Sequence, residues 1–252
     1  MDRGGSVFRA SALFSMSTRA PERLSSIRNH NSYFQQRVDT TAIIVNYATP
    51  DLTRMAVWSL RGAYSDLPIV VVDAGSPDDS VDQLRLLATQ TSIRLIEEPK
   101  NVHHGPGMDL VLRQIDTDWG LVFDSDCILY RPGLLEMLHE RSAGAYMVGQ
   151  RLAIDKMGYP ARENAPVFDY VHPKCALVHR ETYHTLPPFE KHGVPCLTNE
   201  LEAQRRHLSF VDAPVDDYVY HIGRGTASRH GYALGAKGRL ESVFARIRRW
   251  IG

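Results

Sequence analysis

No stretch of this 252-residue chain approaches the roughly 18 uninterrupted apolar residues that a membrane-spanning helix requires. Net charge is also lacking: 29 Lys and Arg stand against 29 Asp and Glu. A global basic surface for nucleic acid is therefore absent, so no nucleic-acid partner is expected, although local patches remain open. Cysteine is scarce. Cys127, Cys175 and Cys196 are odd in number and widely spaced. They form no zinc or redox motif and fit a reducing cytosol, so the expected location is cytoplasmic. What is present is ordinary globular composition, 43% hydrophobic and 23% charged, which excludes collagen-like, fully disordered and disulfide-scaffold chains. The length suits one large domain or two small ones.

Residues 1–40 differ from the rest of the chain: rich in Ser and Arg (Arg3, Arg9, Arg19, Arg23, Arg28, Arg37), poor in acids, and without a sustained hydrophobic period. Val7 to Met16 is broken by Arg9, Ser11 and Ser15, so no secretory core forms. A poorly ordered extension is expected, with an organelle transit peptide as the alternative.

From residue 41 the signals become regular. Thr41–Asn46 is a short β-branched run, after which Thr49 can cap a helix with Pro50 at its first position. Pro68–Asp73 is a continuous apolar strand, as expected when both sheet faces are covered. Asp78–Thr89 reads as a helix, Ser92–Ile96 as a strand, Pro106–Ile115 as a helix, Trp119–Phe123 as a strand and Pro132–His139 as a helix. Strands alternating with helices predict crossover units and a mostly parallel sheet flanked by helices, an α/β fold. Such sheets bind ligands at the carboxyl ends of their strands. The residues there are polar: Asn46-Tyr47, Asp73-Ala74-Gly75-Ser76, Asn101 to Gly107, and Asp124-Ser125-Asp126. Asp124 and Asp126 are two apart, so in an extended segment their carboxylates share one side. Two such carboxylates repel unless a cation intervenes, and hard divalent cations prefer oxygen ligands. A plain turn is the competing reading.

Ile43-Ile44-Val45-Asn46-Tyr47, Val71-Val72-Asp73-Ala74-Gly75-Ser76, Asn101 with Gly105 and Gly107, Gly120 to Asp126, and Arg131-Pro132-Gly133 come one after another in this order. Together they resemble the family-2-type glycosyltransferases of the GT-A (Rossmann-like) fold over roughly residues 41–140. The resemblance implies a nucleotide-sugar donor, a hydroxyl acceptor, usually inverting transfer, and a divalent metal (Mn2+ or Mg2+) at an Asp-X-Asp motif. It further implies that Asp73 recognises the base or ribose, that Asn46 and Tyr47 line the base pocket, and that Asn101 sits near the sugar or ribose. Gly105 and Gly107 would permit close backbone approach, Asp124 would lie by the ribose and metal, and Asp126 would ligate the metal. A core tyrosine is the other reading of Tyr47. Ala74, Asp109 and His103-His104 depart from the family's pattern, so donor identity is not carried over.

In the second half, Cys196 to Arg206 looks like a weak version of the helix start that holds the family's catalytic base, with Glu200 at the Asp position and Glu202 behind it. Inverting transfer needs a carboxylate there to take the acceptor proton; two solvated acids on a surface helix are the alternative. His221 heads a Gly/Arg loop in which Arg224, Ser228 and Arg229 make a sensible diphosphate clamp. In similar enzymes a late His completes the metal shell or touches the phosphates, which makes His221 the candidate; a structural histidine is the competing reading. The expected organisation is thus a domain over 41–236, with a nucleotide-sugar half at 41–145 and an acceptor half at 146–236. Residues 237–252 are expected to form a basic amphipathic helix. Such a helix can lie on an anionic membrane surface, which would make the protein peripheral, or pack on the domain. Two rivals stand beside the transferase: a sugar-nucleotide-binding protein without turnover, and a nucleotidyltransferase. The latter would want a Gly-rich, Lys/Arg-bearing loop after strand one, which Asn46 to Pro50 lacks.

Overall fold

The computed structural model describes residues 39–154, 168–190 and 194–222. The first half alternates as expected: β1 (Thr40–Asn46), α1 (Pro50–Ala63), β2 (Ile69–Asp73), α2 (Ser80–Gln90), β3 (Arg94–Glu97), α3 (His104–Leu112), β4 (Trp119–Phe123), a short β5 (Cys127–Leu129) and α4 (Leu134–Glu140). Then come β6 (Ala145–Ile154), β7 (Phe168–His179), α5 (Arg180–His184), α6 (Leu197–Arg205), β8 (Ser209–Asp212), a 3-10 turn (Val215–Asp217) and β9 (Val219–His221). Thr49 stands before α1, with Pro50 inside its first turn, but its side chain makes no capping hydrogen bond. Its hydroxyl turns instead toward Asn46 and the Tyr47 carbonyl.

Seven strands form one sheet in the order β3-β2-β1-β4-β7-β6-β8. All neighbours pair in parallel except β7, which runs antiparallel to both β4 and β6. Alternate residues of each central strand enter different cores. Ala42, Ile44, Ile69, Val71, Leu121 and Phe123 join Ala56, Val57 and Leu60 of α1 on one face. Ile43, Val45, Val70, Val72 and Val122 join Met108, Val111 and Leu112 of α3 on the other. Period-two side chains buried on both faces explain why β1 and β2 read as continuous apolar runs. The ends of β1, β2, β3 and β4 lie along one edge, because these four strands are parallel and adjacent. Residues Cys127–Leu129 pair with Val219–His221 as a separate two-stranded ribbon beside that edge. Among the described residues no helix is long and apolar enough to cross a membrane. Of the extension expected at 1–40, residues 1–38 lie outside the described residues, while Thr40 is already a buried part of β1; the helix expected at 237–252 and Arg224, Ser228 and Arg229 also lie outside them.

Candidate active site

The end of β4 carries the acidic pair. The Asp124 backbone N–H donates to the Lys174 carbonyl at 2.8 Å, which anchors the turn to β7, and the Cys127 N–H closes the turn onto the Asp124 carbonyl at 3.0 Å. The ribbon then brings His221 alongside, because Cys127 is its register partner and the Ile222 N–H donates to the Asp126 carbonyl at 3.0 Å. His221 Nε2 stands 3.2 Å from Asp126 Oδ1 and 3.9 Å from Asp124 Oδ2. On the other side His104, in the first turn of α3, places Nε2 3.1 Å from Asp124 Oδ1. That contact lacks hydrogen-bond alignment, so Asp124 Oδ1 is a water-shielded carboxylate oxygen without a hydrogen-bond donor. A buried anionic oxygen left this way is costly unless a cation meets it.

The imidazoles report the same field. The hydrogen bond to Asp126, opposed by burial and helped by the charges of Asp126 and Asp124, holds the His221 pKa above its ordinary value. Burial works against a charged His104, yet the Asp124 contact and the Asp126 charge raise its pKa as well. His172, whose ring lies 6.2 Å from that of His221, is lowered, mainly by burial. Two protonatable imidazoles thus shelter against two carboxylates, the arrangement a divalent cation would replace. Asp124, Asp126 and His221 offer oxygen and imidazole donors, which suit Mn2+ and Mg2+. The donor atoms of Asp126, Cys127 and His221 lie within 4.8 Å of one another. Cys127 is a poor member of that set: burial pushes its thiol far up, and the thiol donates to the Lys174 carbonyl at 3.4 Å.

At the ends of β1 and β2 the structure joins Asn46 and Asp73 to each other, both fully buried. Asp73 accepts from Asn46 Nδ2 at 2.7 Å, the Ser76 hydroxyl at 2.6 Å and the Ser76 N–H at 2.9 Å. Asn46 Oδ1 in turn accepts from the Thr53 hydroxyl at 2.8 Å. Both side chains hold the loops together in this arrangement rather than face outward, which speaks against direct recognition of a base or ribose by them. Tyr47 and Asn101 are half-buried on this edge, and Asn101 Oδ1 accepts the His103 N–H at 2.8 Å. Gly105 is corrected too. A Cβ there would fall on the Glu190 backbone, so the close approach it permits is to the chain itself. Gly107 packs against Val45 in the same way. Asp109, which departs from the family pattern, anchors the α3 side by accepting from Tyr183 Oη at 2.5 Å and pairing with Arg113.

Glu200 is not a cleft residue. It is 1% exposed, its Oε2 accepts the Val171 N–H at 2.7 Å, and burial raises its carboxyl well above the usual range. An enclosed acid does not meet an acceptor in this arrangement, which speaks against the role of base expected for it. Glu202 is the solvated acid, held down to about 2 by hydrogen bonds from Arg205 and Arg206. The pattern reading missed His104, His172 and Lys174. His172 and Lys174 are two apart on β7, a polar period-two signal beside the Asp-X-Asp turn. Lys174 is buried and pairs with Asp216 at 2.5 Å.

The family model for glycosyl transferase family 2 matches residues 41–198. Among solved structures, the chain is similar to the mannosyltransferase PcManGT from Pyrobaculum calidifontis, in complex with GDP-Man and Mn2+ (TM-score 0.55, 15% identity). That match covers 76% of this chain, which spans only 62% of the mannosyltransferase's length. It is similar as well to glucosyl-3-phosphoglycerate synthase from Mycobacterium tuberculosis in complex with phosphoglyceric acid (TM-score 0.54, 15% identity, covering 82% of this chain and 79% of that one). At this identity the two likenesses establish the GT-A fold. No curated protein matches the chain.

Proposed function

Because this chain belongs to glycosyl transferase family 2, we propose that it moves a sugar from a nucleoside-diphosphate donor to an acceptor hydroxyl, with a divalent cation held by Asp124, Asp126 and His221. The observation that carries this reading is His221 Nε2 lying 3.2 Å from Asp126 Oδ1 and 3.9 Å from Asp124 Oδ2 at the strand-end edge. The cation, when bound, neutralises the charge that develops on the departing diphosphate. The chain's own residues do the rest. Tyr47 and Asn101 line the nucleotide side, and the Asn46–Asp73–Ser76 network holds the loops after β1 and β2 in place for them. Arg224, Ser228 and Arg229 are the proposed diphosphate clamp.

The acceptor proton needs a carboxylate that meets solvent. With Glu200 enclosed, we assign that task to Asp216, whose side chain is 57% exposed and lines the open cleft that also contains His221. A carboxylate there can accept the hydroxyl proton as that oxygen attacks the anomeric carbon. A single displacement of this kind inverts the anomeric centre. Full-length protein should release free nucleoside diphosphate from a donor panel in Mn2+, and the product's anomeric configuration, read by NMR, should be inverted. No release from any donor together with no Mn2+ binding by electron paramagnetic resonance would remove the proposal. A retained configuration would remove the single-displacement part alone.

A further inference from the structure

The β5–β9 ribbon does more than deliver His221. Successive strand residues face opposite ways, so Cys127, Leu129 and Val219 turn inward, where all three are buried. Ile128 and Tyr220, which are register partners, share the outer face, and Tyr130 lies two residues after Ile128. Tyr130 is 57% exposed and Tyr220 is 60% exposed. The Tyr130 ring is fixed, because its hydroxyl donates to the Asp216 carbonyl at 2.9 Å. These residues form one wall of an open cleft of about 760 Å3, with the Lys174–Asp216 pair and His221 along its other side. That volume lies in the usual range for small-molecule sites, about 300–1,000 Å3. His221, which lines the cleft, lies 3.2 Å from Asp126 Oδ1 and so links the cleft to the acidic pair.

We infer that this cleft is an acceptor subsite for a pyranose ring, stacked on Tyr220 and Tyr130 with its hydroxyls turned toward Lys174 and Asp216. The inference rests on the transferase reading above and names its acceptor class. A pyranose has C–H faces and a polar rim. Aromatic rings present negative faces that attract such C–H groups, and the exposed phenols add hydrogen bonding at the edge. A purely apolar occupant would strip water from the exposed Asp216 carboxylate and offer no hydrogen bond in its place, which costs free energy. A free saccharide and the sugar end of a glycoconjugate offer the same ring.

The test uses the full-length protein and saturation-transfer NMR with cellobiose, maltose, lactose and octyl glucoside, beside cyclohexylmethanol as a hydroxyl compound without a sugar ring. At least one sugar should bind, through its ring C–H protons. Tyr220→Ala should weaken it about tenfold, roughly 1.4 kcal/mol, and Tyr220→Trp should restore it, while nucleoside-diphosphate affinity by calorimetry stays unchanged. Octyl glucoside binding where free sugars do not would assign the ring to a glycolipid. Preferred binding of cyclohexylmethanol, no sugar binding at all, or equal affinity in Tyr220→Ala would each overturn the inference. These readouts are independent of donor turnover, so failure of the transferase reading is told apart from failure of the subsite.

Discussion

Replacing Glu200 separates an enclosed structural acid from a working base. Its Oε2 accepts the Val171 N–H of β7, and its Oε1 has no hydrogen-bond partner. Glu200→Ala would strand that buried N–H, at about 1–3 kcal/mol, and remove side-chain packing worth roughly another 0.8 kcal/mol per methylene. A loss of about 2–4 kcal/mol is expected from the two together. Glu200→Gln keeps an acceptor for Val171 and changes the pH dependence instead. The folded carboxyl is raised above its unfolded value of about 4.5, mainly by burial. Below that value both states are protonated and the residue contributes no slope. As pH rises above it, the unfolded chain releases a proton that the folded chain keeps, so stability falls with pH, by up to about 1.4 kcal/mol per unit. Urea melts from pH 4 to 8 should show wild type losing stability over this window relative to Glu200→Gln, with transfer retained. Parallel curves, together with a 10²–10⁴-fold loss of transfer of the size expected for a missing base, would refute the structural assignment and return Glu200 to the chemistry.

Asp126→Ala should abolish Mn2+ binding, read by electron paramagnetic resonance, and donor turnover with it, while the thermal melt of the metal-free protein stays cooperative. Asp216→Asn should lower transfer by about 10²–10⁴-fold without altering nucleoside-diphosphate affinity; unchanged transfer would place the base elsewhere. Gly105→Ala forces a methyl onto the Glu190 backbone, so it should destabilise the fold by about 1–3 kcal/mol in denaturant melts. Asp73→Ala leaves the Ser76 N–H without its acceptor and the Asn46 amide with only its longer bond to the Ser76 hydroxyl; a drop of about 1–3 kcal/mol for the stranded N–H is expected, measured in the absence of nucleotide. If Asp73→Ala instead left stability intact and removed only nucleotide binding, the carboxylate would belong to direct recognition after all.

Local patterning was enough for the four parallel strands β1 to β4 of the seven-stranded sheet, not for β6, β7 and β8. Apolar runs at Ile43–Val45, Ile69–Val72 and Leu121–Phe123 separated by helical stretches require strands covered on both faces. Parallel strands then place Asn46, Asp73 and Asp124 on one edge, because their carboxyl ends must lie together. The Asp124–Asp126 spacing was likewise legible, since both residues belong to one short turn. Tertiary structure alone decided which of these polar groups face outward. Asp73 and Glu200 are acidic letters in polar stretches, yet Ser76 and Val171, distant or across a loop, supply the donors that let them sit inside. Gly105 looks in sequence like room for a ligand, but Glu190 fills that room. His104, Asp124 and His221 come from three separate elements, and Tyr130 and Tyr220 share a wall only because residues 127–129 pair with 219–221. A sequence reports period and residue type within a few turns of chain. Burial and convergence depend on partners far along it, and these set whether a carboxylate is a ligand, a base or an anchor.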